Sequence, residues 1–174
     1  MRNRRSIIFL DVDGPINTLV NVNNQRQRRR PVSSYHIKLP EQQLTNLATI
    51  VKATGADIVL SSKWRLLDER LDLNISPARI NLEKQLARHG LTIFSQTPFI
   101  DHNRGAEINT WLYNFSRRSG YTPAYIVIDD KLDPIIHEHK GHIVYCNPNR
   151  GIGETEVNVA INLLRRQGVI INDP

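Results

Sequence analysis

The sequence predicts an α/β fold with a mostly parallel β-sheet. Short apolar runs, typical of strands buried on both faces, alternate along the chain with longer segments whose apolar residues recur at helical spacing. Such alternation is typical of parallel sheets with helical crossovers. The length of 174 residues predicts one domain over residues 1–174, long enough to bury a substantial core.

The first half of the chain contains two predicted strands and one predicted helix. Residues 6–11 form an apolar run that ends in an acid, which predicts a buried strand. Residues 15–40 combine prolines, amides and an arginine run, and they predict a long basic loop or a β-flap. An apolar stripe predicts a helix over residues 41–53, and residues 56–60 predict the second strand. Residues 64–77 are predicted to be irregular or weakly helical.

The second half continues the alternation of helices and strands. Gly90 follows one helical segment as an expected helix end, and Arg104 or Gly105 begins the next helix. The predicted elements are a helix over 77–89, a short strand over 91–94, a helix over 104–115, strands over 124–128 and 143–146, and a helix over 154–167.

The positive charge of the chain is concentrated near its beginning. The net charge is +6, and residues 1–40 hold eight basic and two acidic side chains, while the remainder is balanced. A local basic field raises the concentration of polyanions such as nucleic acids near it. A solvated loop that keeps the protein soluble accounts for the same charge, so the composition leaves both interpretations, polyanion binding and solubility, open.

Composition excludes several classes of protein. Cys146 is the only cysteine, which excludes an internal disulfide and a cysteine-rich zinc site and is typical of a reducing compartment. No apolar stretch is long enough to span a membrane. The basic N-terminus precedes an apolar run too short for a secretory signal. We therefore expect a cytoplasmic protein that is not secreted and has no membrane partner.

Chemically active residues follow three of the predicted strands. Asp11 and Asp13 follow the first strand, Ser61 and Ser62 follow the second, and a pair of acids at 129 and 130 follows a later one. Ligands of open parallel sheets bind at the carboxyl ends of the strands, so these side chains are expected to meet. Clustered carboxylates suit a hard cation, and Mg²⁺ binds carboxylates together with water and substrate phosphate. The pattern predicts a magnesium and phosphate site.

Five segments carry a resemblance to a known superfamily: FLDVDGPIN, IVLSSKWR, RGAEINTWL, YIVIDD and GIGETEVNVAINLL. Together they resemble the haloacid dehalogenase (HAD) superfamily of phosphotransferases and, more narrowly, the HAD domain of Swiss-army-knife RNA-repair proteins. The resemblance implies a Rossmann-like three-layer sandwich, either capless or with a small flap. It also implies a Mg²⁺-dependent phosphatase that works through an aspartyl-phosphate.

The resemblance implies a role for each motif residue. Asp11 would attack phosphorus, and Asp13 would protonate the leaving oxygen and then activate water. Ser61 would hydrogen-bond a phosphoryl oxygen, and Arg104 would balance charge. The implied metal ligands are Asp11, the carbonyl of Asp13, Asp129 and Asp130. The chain departs from the family pattern at Pro15, which lacks an N–H donor, and at Arg104, where lysine is common.

The expected substrate is the phosphorylated end of a polynucleotide, with a 3′- or a 5′-phosphate. No insertion is long enough for a large cap domain, and a capless site is open to bulky substrates. The basic loop borders this site, so the expected substrate-binding residues are Ser62, Arg65, Arg28, Arg29 and Arg30. Arg65 fits a surface ion pair equally well, and Trp64 fits the core better than a stacking platform. A small-molecule (nucleotide) phosphatase and a non-catalytic nucleic-acid-binding module remain alternatives.

Overall fold

The structure is a computed structural model that describes residues 5–27, 37–65, 77–131 and 135–172. Its centre is a five-stranded sheet in the order β3-β2-β1-β4-β5, in which every pairing is parallel. The strands are β1 Ser6–Leu10, β2 Asp57–Leu60, β3 Ile93–Gln96, β4 Ala124–Asp129 and β5 Ile143–Tyr145. The predicted parallel α/β fold is confirmed.

Helices connect the strands and cover the sheet. They are α1 Leu19–Gln27, α2 Glu41–Thr54, α3 Pro77–Ala87, α4 Arg104–Ser119, the single-turn α5 Ile135–Glu138, and α6 Glu154–Arg166. Gly55 ends α2 and Gly120 ends α4, both with the positive φ that glycine adopts without strain. Helix α4 therefore runs four residues beyond its predicted end at residue 115.

The residues of β1 show how the three layers form. Ile8 and Leu10 belong to a core cluster with apolar side chains of α2, α3 and α6. Ile7 and Phe9 belong to a second cluster with Ile108 and its neighbours on α4. Because successive side chains of a strand point to opposite faces, the apolar run of β1 is buried on both sides. The sheet is thus sandwiched between two helical layers, as expected.

The carboxyl ends of the strands are tied together beyond the last strand residues. The N–H of Asp11 donates to Ile128 O at 3.0 Å, and the N–H of Ser61 donates to Leu10 O at 2.8 Å. Two further bonds of this kind join Thr97 N to Leu60 O and Cys146 N to Asp129 O. These bonds fix the positions of the first residues after β1 and β2, where the chain leaves the sheet.

Residues 15–40 correct one prediction. The segment contains α1, an α-helix, where a loop or a β-flap was expected. Its side-chain amides attach it to the chain beyond it, since Asn21 Nδ2 and Gln25 Nε2 donate to Lys38 O at 2.9 and 3.0 Å. The arginine run at 28–30 lies outside the described residues. The short helix α5 was also not predicted.

Among the described residues, no helix combines the length and the apolar character needed to cross a membrane. Cys146 is a buried, free thiol.

Candidate active site

Three carboxylates meet at the carboxyl edge of the sheet. Asp11 follows β1, Asp129 ends β4 and Asp130 comes next, and each offers an oxygen within 4.8 Å of the others. Asp11 is 6% exposed and Asp129 is 2% exposed. Gly14 permits this arrangement, because a Cβ at that position would lie 2.4 Å from Asp130 Cγ. The two acid motifs, far apart in sequence, thus form one cluster.

Arg104 is the cation of this cluster. It is the first residue of α4, whose N-cap Asn103 accepts a hydrogen bond from the N–H of Ala106. Its guanidinium lies 3.6 Å from Asp11 Oδ1 and 3.2 Å from Asp129 Oδ2. One positive charge therefore faces two buried carboxylates and leaves the third without an ion-pair partner among the described residues.

Burial raises the pKa values of all three acids. It raises the pKa of Asp11 to about 7, an effect that Arg104 opposes and the neighbouring Asp129 reinforces. Burial also raises the pKa of Asp129 and, together with the charge of Asp129, that of Asp130. The charge of Arg104 alone therefore does not offset the cost of ionising these buried carboxyl groups.

The donor set fits a hard divalent cation. The ligand atoms are carboxylate oxygens, the type that Mg²⁺ prefers. Asp130 Oδ1 is buried and has no hydrogen-bond partner within the described part of the chain. A buried polar atom without a partner costs free energy, so a cation at this position would stabilise it. Asp11, Asp129 and Asp130 are the residues that would hold the metal.

Hydrogen-bond donors surround the space beside Asp11. Ser61 and Ser62 are fully buried. The Ser61 hydroxyl has no partner among the residues described, and the Ser62 hydroxyl lies close enough to Asp11 to lower its pKa. Within the same residues, the backbone N–H groups of Asp13 and Ser62 also donate to no protein acceptor. Unpaired donors next to a buried carboxylate suit the oxygens of a phosphoryl group.

Asp13 does not belong to the three-carboxylate cluster. It is exposed, and its Oδ2 accepts a hydrogen bond from Trp64 Nε1 at 2.9 Å. Its Oδ1 accepts another from Asn17 Nδ2 at 2.8 Å. Two N–H donors from different segments therefore hold one carboxylate at the edge of the cavity.

A cavity of about 670 Å³ opens above the cluster. Asp11, Asp13 and Ser62 line its inner end, and Leu19, Val22 and Ile37 line one side. Its basic lining residues are Arg26, Lys63, Arg104 and Lys131. The cavity thus joins a site for a metal and a phosphoryl group to a side wall formed largely by α1.

A comparison with known protein families identifies the family of this chain. A family model described as the HAD domain in Swiss Army Knife RNA repair proteins matches residues 7–157. The chain belongs to this family. No curated protein matches the sequence. HAD domains form a phosphatase family, and membership together with the acid cluster indicates a hydrolase of this general type with a plausible metal site.

In this HAD domain, one residue that was expected to bind substrate lies away from the cavity. The side chain of Arg65 is 4% exposed, and its guanidinium lies 2.7 Å from Glu107 Oε2. It also donates to Ser62 O at 2.6 Å. Arg65 does not line the cavity and fixes the turn after β2 instead. Of the other expected substrate residues, Ser62 lines the cavity, and Arg28, Arg29 and Arg30 lie outside the described residues.

Sequence reasoning missed three residues of the site. Glu107, 2% exposed, is the counterion of Arg65 and lies 3.9 Å from Arg104 Nε. Its position in the first turn of α4 fits a common helix-dipole preference, so no sequence signal distinguishes it from an ordinary helix-start acid. Asn17 carries no motif signal, and Trp64 was interpreted as a core residue without a polar role. Trp64 is in the core, and its N–H reaches the site.

Proposed function

We propose that this HAD domain is a Mg²⁺-dependent phosphatase that removes a terminal phosphate from polynucleotides through an aspartyl-phosphate at Asp11. One observation carries the proposal. The oxygens of Asp11, Asp129 and Asp130 lie within 4.8 Å of one another, and the guanidinium of Arg104 faces the first two. A buried acid cluster with a single cation suits the binding of a metal and a phosphoryl group.

In the proposed first step, the carboxylate of Asp11 attacks phosphorus in line and the ester oxygen departs. Arg104 balances the charge shared by the carboxylate and the phosphoryl group, and Ser61 and Ser62 donate hydrogen bonds to the phosphoryl oxygens. When bound, Mg²⁺ would neutralise phosphoryl charge that otherwise repels the nucleophile. Asp11, Asp129, Asp130 and the Asp13 carbonyl would hold it.

Asp13 is the proposed general acid and base. It donates a proton to the departing ester oxygen in the first step and then takes a proton from water. That water attacks the phosphorus of the aspartyl-phosphate, which releases inorganic phosphate and restores the Asp11 carboxylate. The position of Asp13 supports this role, because it is exposed and lines the same cavity as Asp11.

Three observations support a polynucleotide substrate. The cavity is lined by Arg26, Lys63 and Lys131 in addition to Arg104, so cations extend beyond the phosphoryl site. The chain carries a net charge of +6. The family is described by its occurrence in RNA repair proteins. A 3′-phosphate and a 5′-phosphate fit these observations equally, and we propose a cytoplasmic location for the reaction.

The test is phosphate release from a panel of substrates with Mg²⁺ or with EDTA. The panel contains 3′- and 5′-phosphorylated RNA and DNA oligonucleotides, nucleoside monophosphates and p-nitrophenyl phosphate. We expect metal-dependent turnover with the highest kcat/KM on one oligonucleotide end. Turnover that persists in EDTA would refute the metal-dependent mechanism, and absence of turnover on every ester would refute the phosphatase proposal.

A nucleotide phosphatase is the second candidate, because a cavity of about 670 Å³ is large enough for a mononucleotide. The salt dependence of turnover distinguishes the two classes of substrate. Polynucleotide binding weakens steeply with salt because it releases counterions, whereas turnover of a small substrate depends on salt much less. A kcat/KM that falls for oligonucleotides alone, as KCl rises from about 50 to about 200 mM, would favour the polynucleotide as substrate.

A further inference from the structure

We infer that Trp64 and Asn17 are positioning residues that orient the carboxylate of Asp13 toward the leaving group of the substrate. The inference rests on the proposed function, in which Asp13 is the general acid. It assigns a catalytic purpose to two side chains that hold no metal and carry no acid–base chemistry of their own.

The two contacts restrain Asp13 from both sides. The indole N–H of Trp64 donates to Oδ2 and the amide of Asn17 donates to Oδ1, at 2.9 and 2.8 Å. Each carboxylate oxygen has a second acceptor position, so both oxygens retain capacity for a proton or a substrate contact. An exposed aspartate without such donors samples several rotamers, whereas one bonded at both oxygens is held in a single orientation.

Core packing and a closed turn hold the Trp64 side chain in place. It is 6% exposed and packs in the core cluster under the sheet. It lies in a 3₁₀ turn over Lys63–Arg65, which Arg65 closes by donating its backbone N–H and its guanidinium to Ser62 O. The buried ion pair of Arg65 with Glu107 fixes this turn to α4. The indole donor is therefore positioned before substrate arrives.

Asn17 connects Asp13 to the cavity wall. Its Oδ1 accepts a hydrogen bond from Asn21 Nδ2 at 2.9 Å, and the same Asn21 nitrogen donates to Lys38 O at 2.9 Å. The fixed Asn21 amide thus sets the rotation of the Asn17 side chain. Asp13 is held between the turn after β2 on one side and the start of α1 on the other.

This arrangement predicts a dependence on the leaving group. A sugar alkoxide leaves poorly and needs a proton in the transition state, whereas p-nitrophenolate leaves without help. Misplacing a general acid therefore lowers kcat/KM for alkyl phosphates and has little effect on kcat/KM for aryl phosphates. A purely structural role would lower both by the same factor.

The experiment compares matched tryptophan variants. Trp64→Phe removes the N–H donor and keeps an aromatic ring in the core. Trp111→Phe is the control, because Trp111 Nε1 donates to Ser95 Oγ and lies in the other core cluster. We expect Trp64→Phe to lower kcat/KM by about 10- to 100-fold on a phosphorylated oligonucleotide and by less than about 3-fold on p-nitrophenyl phosphate. Trp111→Phe should show no difference between the two esters.

A second pair makes the test independent of core packing. Asn17→Ala removes the other donor, and Asn46→Ala is its control, because Asn46 bonds Ile152 O outside the cavity. We expect the same selective loss for Asn17→Ala only. Equal losses on both esters in Trp64→Phe and Asn17→Ala would overturn the inference.

A spectroscopic measurement separates this inference from the proposed function. The chain has two tryptophans, so an ¹H–¹⁵N spectrum contains two indole N–H signals. Asp13→Ala should shift the Trp64 signal and leave the Trp111 signal in place. An unmoved Trp64 signal would overturn the inference even in an active phosphatase, whereas a wild type inactive on all esters would refute the proposed function.

Discussion

The floor and the wall of the cavity are built in opposite ways. We call Asp11, Ser61, Ser62 and Asp129 the site floor, of which Asp11 and Ser62 line the cavity, and we call Leu19, Val22, Gln25 and Arg26 of α1 the α1 wall. Every floor residue is at most 6% exposed and follows or ends a central strand. In the wall, Leu19 is 47% exposed and Arg26 is also exposed. Side-chain amides attach this helix to the backbone at Lys38.

The contrast between floor and wall assigns a separate task to each part of the site. Chemistry at phosphorus needs atoms held in fixed positions, and the strand ends supply them. Substrate selection needs contact area that can vary without disturbing those atoms, and a peripheral helix supplies it. Changes in the floor should affect all substrates alike, whereas changes in the wall should affect only substrates long enough to reach it.

The largest expected effect is the loss of the nucleophile. Asp11→Asn should lower kcat at least about 10³-fold on both oligonucleotides and p-nitrophenyl phosphate, because the amide cannot form the aspartyl-phosphate. Steady-state phosphate release measures the loss, and circular dichroism verifies that the variant is folded. Retained turnover would refute the proposed role of Asp11. A loss on one substrate alone would contradict the prediction that changes in the floor affect all substrates alike.

The buried counterion Glu107 should have the next largest effect. Glu107→Gln leaves the guanidinium of Arg65 buried without its charge partner, which typically costs about 3 kcal/mol of unfolding free energy or more. Glu83→Gln is the control, since Glu83 pairs with Arg79 on an exposed helix surface, where an ion pair contributes about 1 kcal/mol or less. Urea denaturation measures both. Equal effects would show that the floor does not depend on this ion pair.

The raised pKa of Asp11 predicts how the floor responds to pH without metal. Because burial raises this pKa from 3.8 to about 7, the folded state binds the proton more tightly than the unfolded state. Stability in EDTA should therefore fall as pH rises from about 4 to about 7. Asp11→Asn removes the cost of ionising this buried carboxyl group, so at pH 8 the variant should be more stable than the wild type by on the order of 4 kcal/mol.

The control compares the unfolding free energies of Asp11→Asn and the wild type in EDTA at about pH 4. Asp11 is protonated in the folded state at this pH, so the stability advantage of Asp11→Asn should largely disappear. Urea denaturation in EDTA at both pH values measures the difference. A variant less stable than the wild type at pH 8 would mean that Arg104 outweighs burial.

The smallest effect should come from the wall. Arg26→Ala removes an exposed cation from the cavity and should raise KM for oligonucleotides about 3- to 10-fold at low salt, while sparing p-nitrophenyl phosphate. Arg166→Ala removes an exposed cation of α6 that does not line the cavity and should change neither value. Equal losses on both esters for Arg26→Ala would erase the distinction between the wall and the floor.

The floor could be predicted from sequence because its signals are local. Each central strand contains an uninterrupted apolar run, and an acid or a serine pair follows that run directly, so the parallel-sheet rule brings these residues to one edge. The structure brings Asp11, Asp129 and Asp130 together as that rule requires. Their roles in the reaction stay predictions.

The wall and the supporting contacts could not be predicted because their causes are tertiary. The sequence of α1, LVNVNNQRQ, has no apolar stripe, and the helix is fixed by bonds to Lys38 rather than by periodic burial. Trp64 and Asp13 are 51 positions apart, and no spacing rule joins an indole to a carboxylate. Arg65 could be paired with Glu107 only once α4 was seen to pass beside the turn after β2.

The hydrogen bonds that continue past the strand ends also determine how the domain can open. The amides of Asp11, Ser61, Thr97 and Cys146 all donate to a neighbouring strand or its last residue. Exchange of these amide protons with solvent requires separating the strands themselves, which is close to unfolding the domain. Helix α1 lies outside this network, so its amide protons are expected to exchange faster than these four, while the strand ends that carry Asp11 and Ser61 stay in register.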